Sequence, residues 1–173
     1  MLTFLLSTNF KNMKSPSERK KTDFPFKIMH SGEEVILNEH IQSIKANCPE
    51  VEIHIGCDSQ NYRNHTIYVT TIVFRYPSNG AHVLYIKEKI PKIHDLWTKL
   101  WGETERSALL ALELREKLNI EVEQIDLDYN SNPAFPSHKL LSAASGYLSS
   151  LGFMAKAKPD LLMAVWAANS LCH

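Results

Sequence analysis

Val51-Glu52-Ile53-His54-Ile55-Gly56-Cys57-Asp58-Ser59-Gln60 reads as a buried strand that ends by presenting a carboxylate. Alternation puts Val51, Ile53, Ile55 and Cys57 on one face and His54, Gly56 and Asp58 on the other. Aspartate is disfavoured in strands and is rarely buried without a partner, so one that follows an apolar strand needs a reason. Turn chemistry supplies an ordinary reason, because Asp58-Ser59-Gln60-Asn61 suits a turn. A reactive carboxylate at a strand end supplies another. These ten residues alone leave both open.

The whole chain bounds the choice. At 173 residues it fits one domain with a sizeable core, and 44% hydrophobic with 22% charged residues is an ordinary globular composition. Nineteen basic residues face nineteen acidic ones, so any nucleic-acid binding must rest on a local patch. Cys48, Cys57 and Cys172 are odd in number and lack a CxxC pair, which suits a reducing compartment and argues against a structural zinc site. The apolar run Leu2 to Leu6 is far too short to span a membrane and no positive region precedes it. The expected location is cytoplasmic. Residues 11 to 27 carry six basic side chains against two acidic ones, so residues 1–23 are expected to be a flexible basic tail ahead of a domain at 24–173.

Along that domain, Ser31-Gly32-Glu33-Glu34 is expected to open a helix running to about Ala46. The 51–60 strand is followed by Thr66 to Tyr76, rich in β-branched and aromatic residues, and by His82 to Ile90 after a turn at Pro77-Ser78-Asn79-Gly80. Those three strands form an antiparallel meander. Asp95 to about Leu118 has a helical pattern that Gly102 is expected to kink. A strand at Glu121 to Asp128, a helix capped by Ser137, a short strand at Phe153 to Ala157 and a last helix from Asp160 complete the order.

Three carboxylates fall at informative places in this order. They are Asp58 at the end of the first meander strand, Glu103 or Glu105 early in the long helix, and Asp126 or Asp128 at the end of the fourth strand. Where those two strands are neighbours, the three groups meet. Carboxylates about 4 Å apart repel by roughly 4 kcal/mol at an effective dielectric of 20, so such a group needs a shared cation or proton. Oxygen-only ligands suit magnesium or manganese rather than zinc, and the chemistry they serve is attack of water on a phosphodiester. The eight histidines show no HxH or HxxxH pair; His54 and His138 could reach the site, although solvated or capping roles suit them as well. No GxSxG, Walker-type or GxGxxG motif is present.

The element order, with Ile55-Gly56-Cys57-Asp58-Ser59-Gln60, Glu103-Thr104-Glu105-Arg106-Ser107, Ile125-Asp126-Leu127-Asp128-Tyr129-Asn130 and Lys158-Pro159-Asp160, resembles the YkuK-type branch of the ribonuclease-H-like superfamily over residues 24 to 173. The resemblance implies an α/β fold with a mixed five-stranded sheet, helices on both faces and an extra N-terminal helix. It also implies a magnesium or manganese site and a nucleic-acid partner. Matched residue by residue, Asp58 is the bridging ligand, Glu105 is favoured over Glu103 because Ala108 follows it at the superfamily's spacing, and Asp128 is favoured over Asp126. Lys158 matches a lysine suited to phosphate charge. Asn169 stands where the superfamily places an acidic residue or histidine; it can ligate through its carbonyl but brings no charge. Asp160 can compensate or can simply stabilise a helix start. The leading expectation is a metal-dependent nuclease acting through Asp58, Glu105, Asp128 and Lys158. The alternatives are a non-catalytic binding module of the same fold, motivated by Asn169 and the zero net charge, and an unrelated α/β domain whose acids are surface turns and caps.

Overall fold

A computed structural model describes residues 25–78 and 80–173. The expected tail 1–23 lies outside the described residues, as does Asn79 of the turn after the second meander strand. The described chain runs β1 (Phe26–Ile28), β2 (Glu34–Val35), α1 (Leu37–Asn47), β3 (Glu52–Asn61), β4 (His65–Arg75) and β5 (Ala81–Pro91). It continues through α2 (Leu96–Leu118), β6 (Gln124–Asn130), α3 (His138–Ser150), β7 (Ala155–Lys158) and α4 (Met163–Cys172).

Among the described residues the sheet is mixed and has seven strands rather than five, in the order β2-β1-β5-β4-β3-β6-β7. The two added strands form a short hairpin on the β5 edge, with Phe26 opposite Val35 and Ile28 opposite Leu84. Residues 31 to 35, expected to open a helix, instead complete that hairpin, and the helix of this region starts at Leu37. Strands of three and two residues are too short to carry a period, which hides them in the sequence. β3, β4 and β5 are the expected meander. β3 also pairs in parallel with β6, matching Gly56 with Asp126. β3 is thus the strand at which the connections turn from one side of the sheet to the other, and ligands collect at the carboxyl ends of strands there.

Helices cover both faces. Ile53 and Ile55 are fully buried on the α1–α2 side with Ala108, Ala111 and Leu114, each isoleucine contributing roughly 1.5–3 kcal/mol. Cys57 is a free, buried thiol on that same face. Gly102 does not kink α2, which runs unbroken through it. A Cβ at Gly102 would stand 2.7 Å from the Tyr68 hydroxyl, so the missing side chain lets the helix settle onto β4. On the opposite face α4 lies against β3 and β4. A Cβ at Gly56 would stand 2.7 Å from the Val165 nitrogen and 2.8 Å from the Ala164 carbonyl carbon, so only glycine admits the start of α4 there.

Candidate carboxylate site

Ser59, at the end of β3, joins two of the acids. Its backbone N–H donates to Asp58 Oδ1 at 2.8 Å, and its hydroxyl donates to Glu103 Oε1 at 2.5 Å. Lys99, one turn before Glu103 on α2, donates from Nζ to the Ser59 carbonyl at 3.1 Å. The helix is fixed at this height by three more contacts. The Tyr68 hydroxyl donates to the Lys99 carbonyl at 2.9 Å, and the Tyr129 hydroxyl donates to the Leu100 carbonyl at 2.7 Å while meeting Thr104 Oγ1 at 2.7 Å. Strands β4 and β6 therefore set the position of Glu103 through α2.

Asp128, near the end of β6, is the third acid, and its Oδ1 forms an ion pair with the Lys158 ammonium at the end of β7. Glu103 Oε2 is buried without a hydrogen-bond partner. Electrostatics ties the three together. Burial raises the Asp58 carboxyl above its ordinary range, the Ser59 N–H and the Lys99 and Lys158 charges pull it back, and the Asp128 charge raises it further. Glu103, 4% exposed, is pushed up to about 8, first by burial and then by Asp58 and Asp128, against the hydrogen bond from Ser59 and the charge of Lys99.

Glu105 is not part of this group. Two residues on an α-helix are separated by roughly 200° around its axis, so only one of Glu103 and Glu105 can face β3. The structure gives that place to Glu103; Glu105 turns toward α3, where its Oε1 accepts from Trp101 Nε1 at 3.2 Å and its charge acts on Tyr147. Of the two glutamates left open by periodicity, Glu103 and not the favoured Glu105 meets Ser59 beside Asp58. Asp126 also stands apart. It is 1% exposed, accepts from Gln124 Nε2 at 2.5 Å and from the Ala164 N–H at 2.8 Å, and so anchors the first turn of α4. Asp160, for which a helix-start role is one of two alternatives, is exposed and precedes the helix by three residues.

Asn169 lies exposed on α4, with no hydrogen bond to the carboxylates. His54 is buried on the α4 face of β3, its Nε2 3.4 Å from Glu52 Oε2, and its charge acts on Asp126 rather than Asp58. His138 begins α3 with a buried Nδ1 that has no partner. Ser137 does not cap that helix; its hydroxyl accepts from the Asn130 N–H at 3.1 Å. Ser59 and Lys99 are the participants that the sequence reading missed, although Ser59 directly follows Asp58 and Lys99 precedes Glu103 by one helical turn.

Among the described residues, no three His, Cys, Asp or Glu side chains stand close enough together to hold an ion as placed. The donor set itself suits a hard cation, because all three groups are carboxylates and the buried Glu103 Oε2 lacks a hydrogen-bond partner. The Lys158 ammonium on Asp128 marks a position where positive charge is accommodated.

A family model described as Ribonuclease H-like matches residues 35–173, and the chain belongs to that family. No curated protein matches the sequence. Among solved structures, endonuclease V of Ciona intestinalis, in complex with a 24mer DNA containing an inosine followed by a ribo-adenosine, is similar at 18% identity and a TM-score of 0.33. The similarity covers 54% of this chain, which spans about half the length of that protein, 47%. Among the described residues no helix is long and apolar enough to cross a membrane.

Proposed function

We propose that the chain is a divalent-metal-dependent nuclease in which Asp58, Glu103 and Asp128 hold magnesium or manganese. The observation that carries this reading is the buried Glu103 carboxyl, fastened with Asp58 to one serine and left with an unpartnered oxygen. Buried side-chain oxygens are mostly hydrogen-bonded, so this one, on a glutamate 4% exposed, calls for a partner that a cation would supply. The bound ion would supply Lewis-acid activation of water and neutralise charge on the departing oxygen. Ser59 orients two of the ligands, and Lys99 fixes Ser59 through its carbonyl. Lys158, paired with Asp128, would offset phosphate charge were a cation to hold that carboxylate. Burial and the neighbouring carboxylates favour the protonated Glu103 carboxyl, and a cation held there would favour its deprotonation.

The test is manganese-stimulated cleavage of RNA, DNA and hybrid substrates by the purified chain, with Asp58→Ala as the comparison. Cleavage lost in Asp58→Ala supports the reading, and cleavage unchanged by that substitution removes it. A second reading has its own observation: Lys158 already neutralises Asp128, and Asn169 is exposed and uncharged. On that reading the fold is a non-catalytic binding module. Multiple turnover abolished by Asp58→Ala would dispose of it.

A further inference from the structure

The sheet register carries a line of positive charge away from Asp58. Asp58 pairs with Val69 and Val69 with Lys87; one step further on, Gln60 pairs with Ile67 and Ile67 with Lys89. Directly paired residues share a face, so Lys87 and Lys89 stand on the same side of the sheet as Asp58. Neighbouring strands are about 4.8 Å apart, which puts the Lys87 backbone roughly 10 Å across the sheet from that of Asp58. α4 lies over β3 and β4, and its last turn packs through Cys172 on Val69 with Tyr85 alongside. Beyond Tyr85, Lys87 and Lys89 are exposed on this face among the described residues.

Charge on this surface is one-sided. Between residues 60 and 94 the only acidic side chain is Glu88, which points to the opposite face and is paired with Arg106 at 2.7 Å. Arg63 and Lys92 extend the basic surface at the β3–β4 turn, where Lys92 Nζ donates to the Arg63 carbonyl at 3.4 Å. Among the described residues, none of Arg63, Lys87, Lys89 and Lys92 has a carboxylate partner. Asp58 and Lys87 both act electrostatically on the Cys172 thiol, which sets the end of α4 between the carboxylates and the lysines. With nineteen basic and nineteen acidic residues overall, this concentration comes from distribution rather than from excess.

We propose that the open face of β5, with Lys87 and Lys89 at its centre and Arg63 and Lys92 at its outer end, binds the sugar–phosphate backbone of a single nucleic-acid strand and leads it past α4 to Asp58. The proposal rests on the nuclease reading for its direction of travel. Its charge logic is independent: unpaired lysines on an open strand gain by releasing counterions from phosphates. Exposed lysines also guard free strand edges against pairing, and the experiment separates the two roles.

The experiment is fluorescence anisotropy of a labelled single-stranded oligonucleotide with the full chain, in chelator, over a range of salt. Compared with the wild type are Lys87→Gln/Lys89→Gln, Asp58→Ala, and Lys117→Gln on the opposite face. Each lysine that contacts a phosphate contributes roughly 0.7 to the slope of log affinity against log salt for a single strand, so the double variant is expected to flatten it by about 1.4. Lys117→Gln is expected to leave the slope unchanged. An unchanged slope in the double variant, or a wild type without measurable binding, overturns the proposal. A flattened slope beside cleavage that survives Asp58→Ala keeps the surface and removes the nuclease reading; an intact slope beside cleavage lost in Asp58→Ala does the reverse.

Discussion

Replacing Glu103 by glutamine should stabilise the metal-free protein more and more as pH rises. The wild-type carboxyl titrates near 8 in the fold, against 4.5 as its ordinary value. Because the folded value is raised, Glu103's contribution is fully present below about pH 4.5 and is lost as pH climbs through the folded value near 8. Each unit of separation corresponds to about 1.4 kcal/mol, so between pH 5 and pH 8 the wild type should lose roughly 3 kcal/mol through this one group. Glutamine keeps an oxygen to accept from the Ser59 hydroxyl and does not titrate. Its amide replaces an already unpartnered oxygen, and any cost of burying it, about 1–3 kcal/mol, does not vary with pH. The quantity to follow is therefore the change with pH of the stability difference between Glu103→Gln and wild type. Urea denaturation in chelator at both pH values measures it, with Glu105→Gln as the comparison. Parallel pH profiles for Glu103→Gln and wild type would refute the placement of Glu103 in a buried, like-charged group.

Three further outcomes follow from the geometry. Gly56→Ala sets a methyl group against the backbone of Ala164 and Val165 and should lower stability by about 1–3 kcal/mol or more, read by thermal denaturation. Asp126→Ala strips the Ala164 N–H of its buried acceptor and should cost about 1–3 kcal/mol in the same assay, while manganese binding persists in the fraction that remains folded. Lys158→Gln removes the competing cation from Asp128, so manganese should bind more tightly by calorimetry although any cleavage slows.

The parts of the fold legible in the sequence were those carried by long periods. β3 shows its alternation over ten residues, β4 and β5 follow it around turn residues, and Asp58 stands out as the carboxylate that follows Ile53, Ile55 and Cys57. The β1–β2 hairpin was not legible, because its pairing is fixed by a distant strand, Leu84 and Tyr85 of β5, rather than by its own pattern. Glu103 and Glu105 each have apolar residues one or two turns further on, so periodicity alone could not orient α2. Tertiary contacts decide it, with Tyr68 and Tyr129 holding the helix from the two strands beneath it. Asp126 and Asp128 share a face by alternation and differ only in what lies above them. The start of α4 sits over Asp126, and Lys158 stands at Asp128.

The most direct test of the carboxylate site is a manganese titration by calorimetry on the wild type, Asp58→Ala, Glu103→Gln and Glu105→Gln. Binding by the wild type and by Glu105→Gln, lost in Asp58→Ala and weakened in Glu103→Gln, is the predicted result. Binding that survives Asp58→Ala, or that depends on Glu105 and not on Glu103, would contradict it.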